Sequence, residues 1–553
     1  MSLINKKISK AQEALRYGNL ESAYTLYLNL YKKDSFQITF INMLAQISLQ
    51  KNLIDQGIFW LNKSVEINPN QPETLINLGT AFFQIKDFKL AIKYYGLAAN
   101  LDQNNALIFS NLSLAYENLE NFEQALINLN TSLKLNPIQP VLFSCMARIF
   151  ERLDQIDDAI ASYNKAIEIK PDYAEAYNNR GISLHAINKI DDAIASYNKA
   201  IEIKPDYAEV FLNKGNTYEC IKKFDLSLES FDLAIKIDSD YAEAYSNKSL
   251  ILLLLGDYQK GWDLFAWRSK IGKPQKKYDS KPMWLGENVP CNNILLIHPD
   301  IGYGDFIQFS RYITYCLSYF KKIIVEIPNC LLKLFKFSNE NIQVISEDDN
   351  LPNYDYHCSI MNLALATKKD IHIIPQEYLF ISPPLEEINY WKNKLGPKKK
   401  NRVGICWSAS LRADVEFVLS RKRSIPFDQF SIIFNSNIEY HSLNKEISAD
   451  DLIKAEKINA LTLHHLDIKD FTDTAALMMH MDLIITVDTS VAHLSGALGL
   501  KTWVILPYVS DYRWGLDANI SPWYKNIEIF RQPFPGAGDK VIDAVNARLN
   551  QFS

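Results

Sequence analysis

The chain has 553 residues, 48% of them hydrophobic and 22% charged, with a net charge of −5 and a sequence pI near 6.1. That length exceeds what one hydrophobic core organises, the composition is that of a folded chain, and the acidic balance argues against a general nucleic-acid partner. The seven cysteines form no CxxC pair and sit mostly in apolar segments, which points to a reducing compartment without zinc or a disulfide framework. The N-terminus lacks an apolar stretch of signal-peptide length and the longest apolar run, 250–255, is too short for a bilayer, so the expectation is a cytoplasmic protein with no membrane span.

One 34-residue period holds from about residue 4 to 275, and IDDAIASYNKAIEIKPDYAE occurs twice, at 156–175 and 190–209. Small residues recur at Ala23, Gly57, Ala91, Ala125, Ala159, Ala193, Ser227 and Gly261. Large apolar ones follow four later, at Tyr27, Leu61, Tyr95, Leu129, Tyr163, Tyr197, Phe231 and Phe265. Proline closes four units, at Pro69, Pro137, Pro171 and Pro205. This pattern resembles the tetratricopeptide repeat and predicts eight units of two antiparallel helices, in which the small residue permits close approach and the large one fills the gap between neighbours. Asn77, Asn111, Asn179, Asn213 and Asn247 share one register, interrupted by Cys145. An amide both donates and accepts, so such a column suits the backbone of an extended peptide, although exposed asparagine on a repeat face needs no such role.

A linker at 276–293 precedes alternating strand-like and helix-like segments, the pattern of parallel sheets covered by helices. Strands are predicted at 294–298, 323–327 and 342–345, with an apolar helical stripe across 305–317. These belong to a first lobe at 294–384. A connector at 385–401, with a helix near 386–395, leads to a second lobe at 402–553 with strands at 402–407, 438–443, 483–487 and 502–506. The expected fold class is an α-solenoid followed by an α/β region with two Rossmann-like lobes and a ligand cleft between them.

In DLIITVDTSVAHLSGALG a buried strand ends at Val487, Asp488 and Thr489 turn the chain, and a helix runs to Gly499. The helix's first amides make an anion site to which Asp488, Thr489, Ser490 and, one turn on, His493 would contribute. The alternative is that Asp488 and Thr489 are ordinary caps. Three further segments accompany this one in order: IHPDIGYGDFIQFSRY and SRKRSIPFDQF before it, PYVSDYRWGLDANISPWYKNIEIFRQ after it. Together they resemble the heptosyltransferase-like glycosyltransferases of GT-B type, in particular bacterial proteins that carry such a domain behind tetratricopeptide repeats. The layout is similar to that of O-GlcNAc transferases, whose asparagine ladder binds acceptor proteins.

The resemblance implies an inverting, metal-independent transferase that uses a nucleotide-diphosphate sugar as donor and no cofactor, with a protein or peptide acceptor held by the repeats. It implies Asp305 as catalytic base and Arg423 as the cation on the diphosphate. Where the family has Ala-Gly-Asn after the strand at 402–407, this chain has Ser408-Ala409-Ser410. His298 is a weaker candidate at a strand mouth, and Trp514 and Trp523 are expected to pack rather than bind. Glu326 stands where a dehydrogenase would hold a ribose, but the third glycine of the dinucleotide fingerprint is missing. The rival expectation is a repeat scaffold with an inactive transferase-like domain.

Overall fold

The computed structural model describes residues 3–271, 277–278, 280–300, 302–367, 380–409, 423–516 and 519–552. Residues 276 and 279 of the sequence-predicted linker, residues 368–379 of the first lobe, and also Ser410, Arg421 and Lys422, therefore lie outside the described residues. The chain forms two compact units, Met1–Val210 and Phe211–Ser553.

Helices come in the eight expected pairs. They are Leu3–Arg16 with Leu20–Tyr31, Ile38–Gln50 with Ile54–Ile67, Pro72–Gln84 with Phe88–Leu101, and Ala106–Asn118 with Phe122–Leu135; then Pro140–Arg152 with Ile156–Ile169, Ala174–Ala186 with Ile190–Ile203, Ala208–Cys220 with Phe224–Ile237, and Ala242–Leu254 with Tyr258–Phe265. Six pairs make the first unit an α-solenoid; the last two belong with the α/β region. The small residues are buried as expected, and a Cβ on Gly57 or Gly261 would meet Leu49 or Leu253 of the paired helix within 2.6 Å. The large residue four positions on stands over its own pair. The rings of Tyr95, Tyr197 and Phe231 lie where a Cβ on Gly79, Gly181 or Gly215 would be, so they fill the gap inside a repeat.

The turn inside each pair carries a feature the period alone does not reveal. Gly18, Asn52, Lys86, Glu120, Asp154, Asn188, Lys222 and Gly256 all have positive φ, between 58° and 84°. Each sits where a helix ends in a left-handed residue, and the next amide reaches back to the helix, as Asp87 N does to Phe82 O at 2.9 Å. That next residue starts the second helix: Asp87 accepts from Leu90 N at 3.0 Å and Asn121 from Gln124 N at 3.2 Å. In the four pairs where that residue is Asn19, Asp87, Asn121 or Asp257, two residues thus stop one helix and cap the next with a side chain.

In the second unit two all-parallel sheets follow the last pair. The first has strands β1 (Ile294–His298), β2 (Lys322–Ile327), β3 (Ile342–Ser346) and β4 (Tyr356–Ser359) in the order β3-β2-β1-β4. The second has β5 (Asn401–Cys406), β6 (Ile438–Ser442), β7 (Leu461–Thr462), β8 (Leu483–Val487), β9 (Thr502–Leu506) and β10 (Ile527–Arg531) in the order β10-β9-β8-β5-β6-β7. The connecting helix Leu385–Leu395 packs on the Phe471–Met478 helix, where Trp391 Nε1 donates to Asp473 at 3.0 Å. The helix expected over 305–317 is a correction: it is α-helical only at Tyr303–Phe309 and continues as a 3-10 helix over Ser310–Ser318. In the described residues no helix is long and apolar enough to cross a membrane.

These contacts set the direction of two substitutions. Lys86→Gly relieves a left-handed side chain and should stabilise the chain by about 0.5–1 kcal/mol. Gly181→Ala places a methyl 2.5 Å from the buried Tyr197 ring and should cost about 1–3 kcal/mol. Urea unfolding followed by circular dichroism measures both; an unchanged midpoint for Gly181→Ala would show that the ring is not locked.

Candidate functional site

In each sheet the strand order reverses once. The reversal falls between β1 and β4 in the first and between β5 and β8 in the second. Loops that leave the carboxyl ends of strands on either side of a reversal diverge and open a crevice, the usual ligand position in parallel α/β folds. Here the two crevices meet. A Cβ on Gly304, two residues into the helix after β1, would lie 3.3 Å from Ser490 Cα and 2.9 Å from the His493 ring, at the start of the helix after β8. No larger residue allows this approach, which gives GYGD its second glycine.

The turn after β8 leaves the helix Ser490–Ala497 uncapped. Thr489 occupies the N-cap position in extended backbone and makes no side-chain bond to the helix; its hydroxyl turns back to Thr486 Oγ1 at 3.2 Å. Asp488 is buried and accepts from Trp514 Nε1 at 2.9 Å. The capping alternative for these two residues therefore fails, and the first amides of the helix keep their donors for another partner.

Asp305, Arg423 and Asp488 are linked by two residues the sequence reading did not single out. Arg513 donates to Asp305 and, through Nη1, to Asp511 at 2.6 Å, while its Nε reaches Gln308 Oε1 at 2.8 Å. Arg423 then lies 3.8 Å from Asp511 and 3.8 Å from Asp488. Five charges alternate: Asp305, Arg513, Asp511, Arg423, Asp488. Arg513 is buried, whereas the Arg423 side chain is 42% exposed. Burial raises the carboxyls of Asp305 and Asp488 above the usual range, only partly opposed by Arg513 and Arg423 respectively. Asp511 is also pushed up by burial, but Arg513 and Arg423 outweigh this and hold it below that range. The only hint of these partners in the sequence was a charged pair inside the otherwise apolar stretch after β9.

His493 joins this place chiefly as a packing residue. It is buried, its Nδ1 pairs with Tyr524 OH at 3.1 Å, its ring stacks on Trp514, and burial lowers its pKa to about 3. Only Nε2 remains to meet a ligand. Trp514 and Trp523 are fully buried. His298 stacks on Tyr278 at 3.8 Å and shares a hydrogen bond with His357 at 3.1 Å. Glu326 is held by Lys277 and by Tyr278 OH at 2.8 Å, so it is not available to a ribose and the dehydrogenase alternative loses its acid.

Of the asparagines in the repeat column, three fall in the first unit and two in the second. In the first unit Asn77 is exposed, while Asn111 and Asn179 are half-buried and Asn179 accepts from Asn178 at 3.2 Å. In the second unit Asn213 and Asn247 are half-buried, and Asn247 donates to Asn216 at 2.9 Å. Part of the column thus bonds within its own repeat face.

Comparison with known proteins bears on the helical part. Models described as tetratricopeptide repeat match residues 38–71, 72–105, 107–139 and 208–241, and one described as TPR repeat matches 147–188 and 183–219. The helical pairs are tetratricopeptide repeats. Protein FlbA of Caulobacter vibrioides is 23% identical over 336 residues, 55% of this chain and 54% of that protein, so the chain spans about half the length of this relative. Among solved structures, YrrB, described as a TPR protein with an unusual peptide-binding site, is 24% identical, with 34% of this chain and 98% of that chain covered and a TM-score of 0.30. The C-terminal part of a TPR repeat-containing protein from Cytophaga hutchinsonii is 15% identical, with 43% and 97% covered and a TM-score of 0.39.

The buried histidines give a pH dependence. Burial holds His298 and His464 at about 4, and His441 and His493 at about 3. Each stays neutral when folded and regains a value near 6.5 when unfolded, so its stabilisation is full above that pH and is lost as pH falls toward 3–4. At pH 5 the loss is about 2 kcal/mol apiece; the raised carboxyls of Asp305 and Asp488 act in the opposite sense. Urea unfolding followed by tryptophan fluorescence should give a lower midpoint at pH 5 than at pH 7.5, and equal midpoints would refute the assignment.

Proposed function

We propose that the α/β region is an inverting, metal-independent glycosyltransferase of GT-B type that uses a nucleoside-diphosphate sugar, and that the tetratricopeptide repeats recruit a protein or peptide acceptor through the asparagines Asn77, Asn111, Asn179, Asn213 and Asn247. The observation that carries this reading is the uncapped start of the Ser490–Ala497 helix, with Arg423 beside it and the Asp305 carboxylate in the same chain of charges. Amides at a helix start, together with a half-exposed guanidinium, suit a diphosphate.

In the proposed reaction an acceptor hydroxyl gives its proton to Asp305 and its oxygen attacks the anomeric carbon from the face opposite the leaving group. The bond from that carbon to the diphosphate oxygen breaks, and the nucleoside diphosphate departs with the electron pair. Its new charge falls on the amides of Ser490 and Val491 and on Arg423. The raised carboxyl of Asp305 makes it a better proton acceptor than a solvated aspartate.

A second reading, a repeat scaffold with an inactive α/β region, is favoured by one observation. Three carboxylates face two guanidiniums along the chain, and Asp305 is already engaged by Arg513. Calorimetry of the full chain against a panel of nucleoside diphosphates, followed by turnover of the matching nucleotide sugars, separates the two. The transferase reading expects binding that Arg423→Ala weakens about tenfold or more. It also expects turnover that Asp305→Ala lowers by about 10²–10⁴-fold while binding persists. Absence of heat and of thermal shift with every nucleoside diphosphate would establish the scaffold.

A further inference from the structure

The proposed base, Asp305, lies in the first turn of the Tyr303–Phe309 helix, and one side chain from the end of the repeat array holds Asp300 in the stretch between β1 and that helix. We propose that Arg268 is a positioning residue for the site: through Asp300 it fixes where Asp305 stands, so the last repeat is built into the catalytic apparatus. The consequence for catalysis rests on the transferase reading; the clamp itself does not.

Arg268 lies in the 3-10 turn Ala266–Lys270 that closes the last helical pair. Its Nη1 and Nη2 donate to the two carboxylate oxygens of Asp300 at 3.2 and 3.1 Å, a fork that only arginine supplies. Nη2 also donates to Ser359 Oγ at 3.0 Å and to Asn362 Oδ1 at 3.0 Å, and both of these residues are buried. Asp300 in turn accepts from Met361 N at 3.2 Å. One guanidinium therefore ties the loop after β1 to the loop after β4, the two sides of the strand-order reversal in the first sheet. The pair is largely enclosed, with Arg268 19% and Asp300 13% exposed.

The same repeat supports the other half of the site. Its Trp262 and Phe265 rings meet Tyr512 edge-on, at 6.1 and 6.2 Å between centroids, and Tyr512 lies between Asp511 and Arg513 in sequence. The Arg268 guanidinium is itself over the Phe265 ring at 4.8 Å. Asp300, five residues before Asp305, and Tyr512, next to Arg513, thus both contact the end of the repeat array. Without Arg268, Asp300 would be an enclosed, uncompensated charge five residues from Asp305, and it already acts to raise the Asp305 carboxyl.

Full-length Arg268→Met, Arg268→Lys and Asp300→Asn test this by two readouts. In hydrogen–deuterium exchange, the peptide containing Asp300 and Asp305 should exchange about tenfold faster or more in Arg268→Met, while peptides from β8 and the Ser490–Ala497 helix stay unchanged. In turnover, kcat should fall by about 10²-fold with the KM for the nucleotide sugar within about twofold, because the donor contacts lie on the other sheet. Lysine keeps the charge without the fork and should recover part of both effects; if Arg268→Met fails to fold, Arg268→Lys and Asp300→Asn give the same comparison. Unchanged exchange of that peptide in the folded variants overturns the proposal, as does a drop in melting temperature with exchange and kcat unaltered. If the unaltered protein turns over no nucleotide sugar, the transferase reading falls and the exchange measurement alone decides the clamp.

Discussion

The site is organised by the guanidinium of Arg513. It is buried, and its charge is met by Asp305, from the first turn of the helix after β1, and by Asp511, from the loop after β9. Those segments follow strands of different sheets, so the ion pair fixes the spacing of the two crevices as well as balancing charge. Removing such a guanidinium would leave Asp305 without its ion-pair partner and Asp511 with only the more distant Arg423, a loss of about 3–5 kcal/mol for a buried pair. Gln308 and Trp514 extend the constraint: the first orients Arg513, the second orients Asp488. The close approach of Gly304 to Ser490 is possible only within that spacing.

Arg423 is held quite differently. Its two carboxylate neighbours are 3.8 Å away, beyond hydrogen-bond distance, and its own side chain is 42% exposed, although Asp488 and Asp511 are enclosed. A charge-assisted hydrogen bond to a phosphate oxygen is worth about 1.5–3 kcal/mol. Arg423 could therefore bond an arriving diphosphate without giving up a hydrogen bond to Asp511 or Asp488, whereas Arg513 would have to break its bond to Asp305. In the proposed reaction the tight guanidinium is therefore a fixed support and the loose one is the ligand contact.

How much of this was legible in the sequence depended on whether the signal was local. The helical pairs were, because the 34-residue period forces small and large residues into fixed places, and Ala91 with Tyr95 or Ala193 with Tyr197 pack accordingly. The left-handed turn residues were not, because Lys86, Glu120 and Lys222 carry no conformational mark, whereas Gly18 and Gly256, and more weakly Asn52, Asp154 and Asn188, do. Strands with continuous apolar runs, such as β8, were read correctly. β4 (YHCS) is mostly polar, β7 has two residues and β10 alternates polar with apolar, so each lacked that run. The end of the α-helix at Phe309 was hidden because the apolar stripe continues through the 3-10 helix beyond it. At the site, the amides of the Ser490–Ala497 helix followed from a strand-turn-helix pattern, whereas Arg513 and Asp305 are 208 residues apart and nothing in their local sequence pairs them.

The same distinction explains why the last two helical pairs and the α/β region fall in one compact unit. A solenoid repeat needs only its neighbours to bury its faces, and the first six pairs satisfy that within the first unit. The last two are grouped with the sheets because their outward residues find partners there: Trp262 and Phe265 on Tyr512, Arg268 on Asp300, and Lys222 over the Tyr508 ring at 4.0 Å. A terminal repeat ordinarily presents a polar outer face to water. Here that face carries tryptophan, phenylalanine and a five-donor guanidinium, all of which would be costly to expose or leave unpaired. The end of the array is thus capped by the sheets, and the loops that form the candidate site are the surface that caps it.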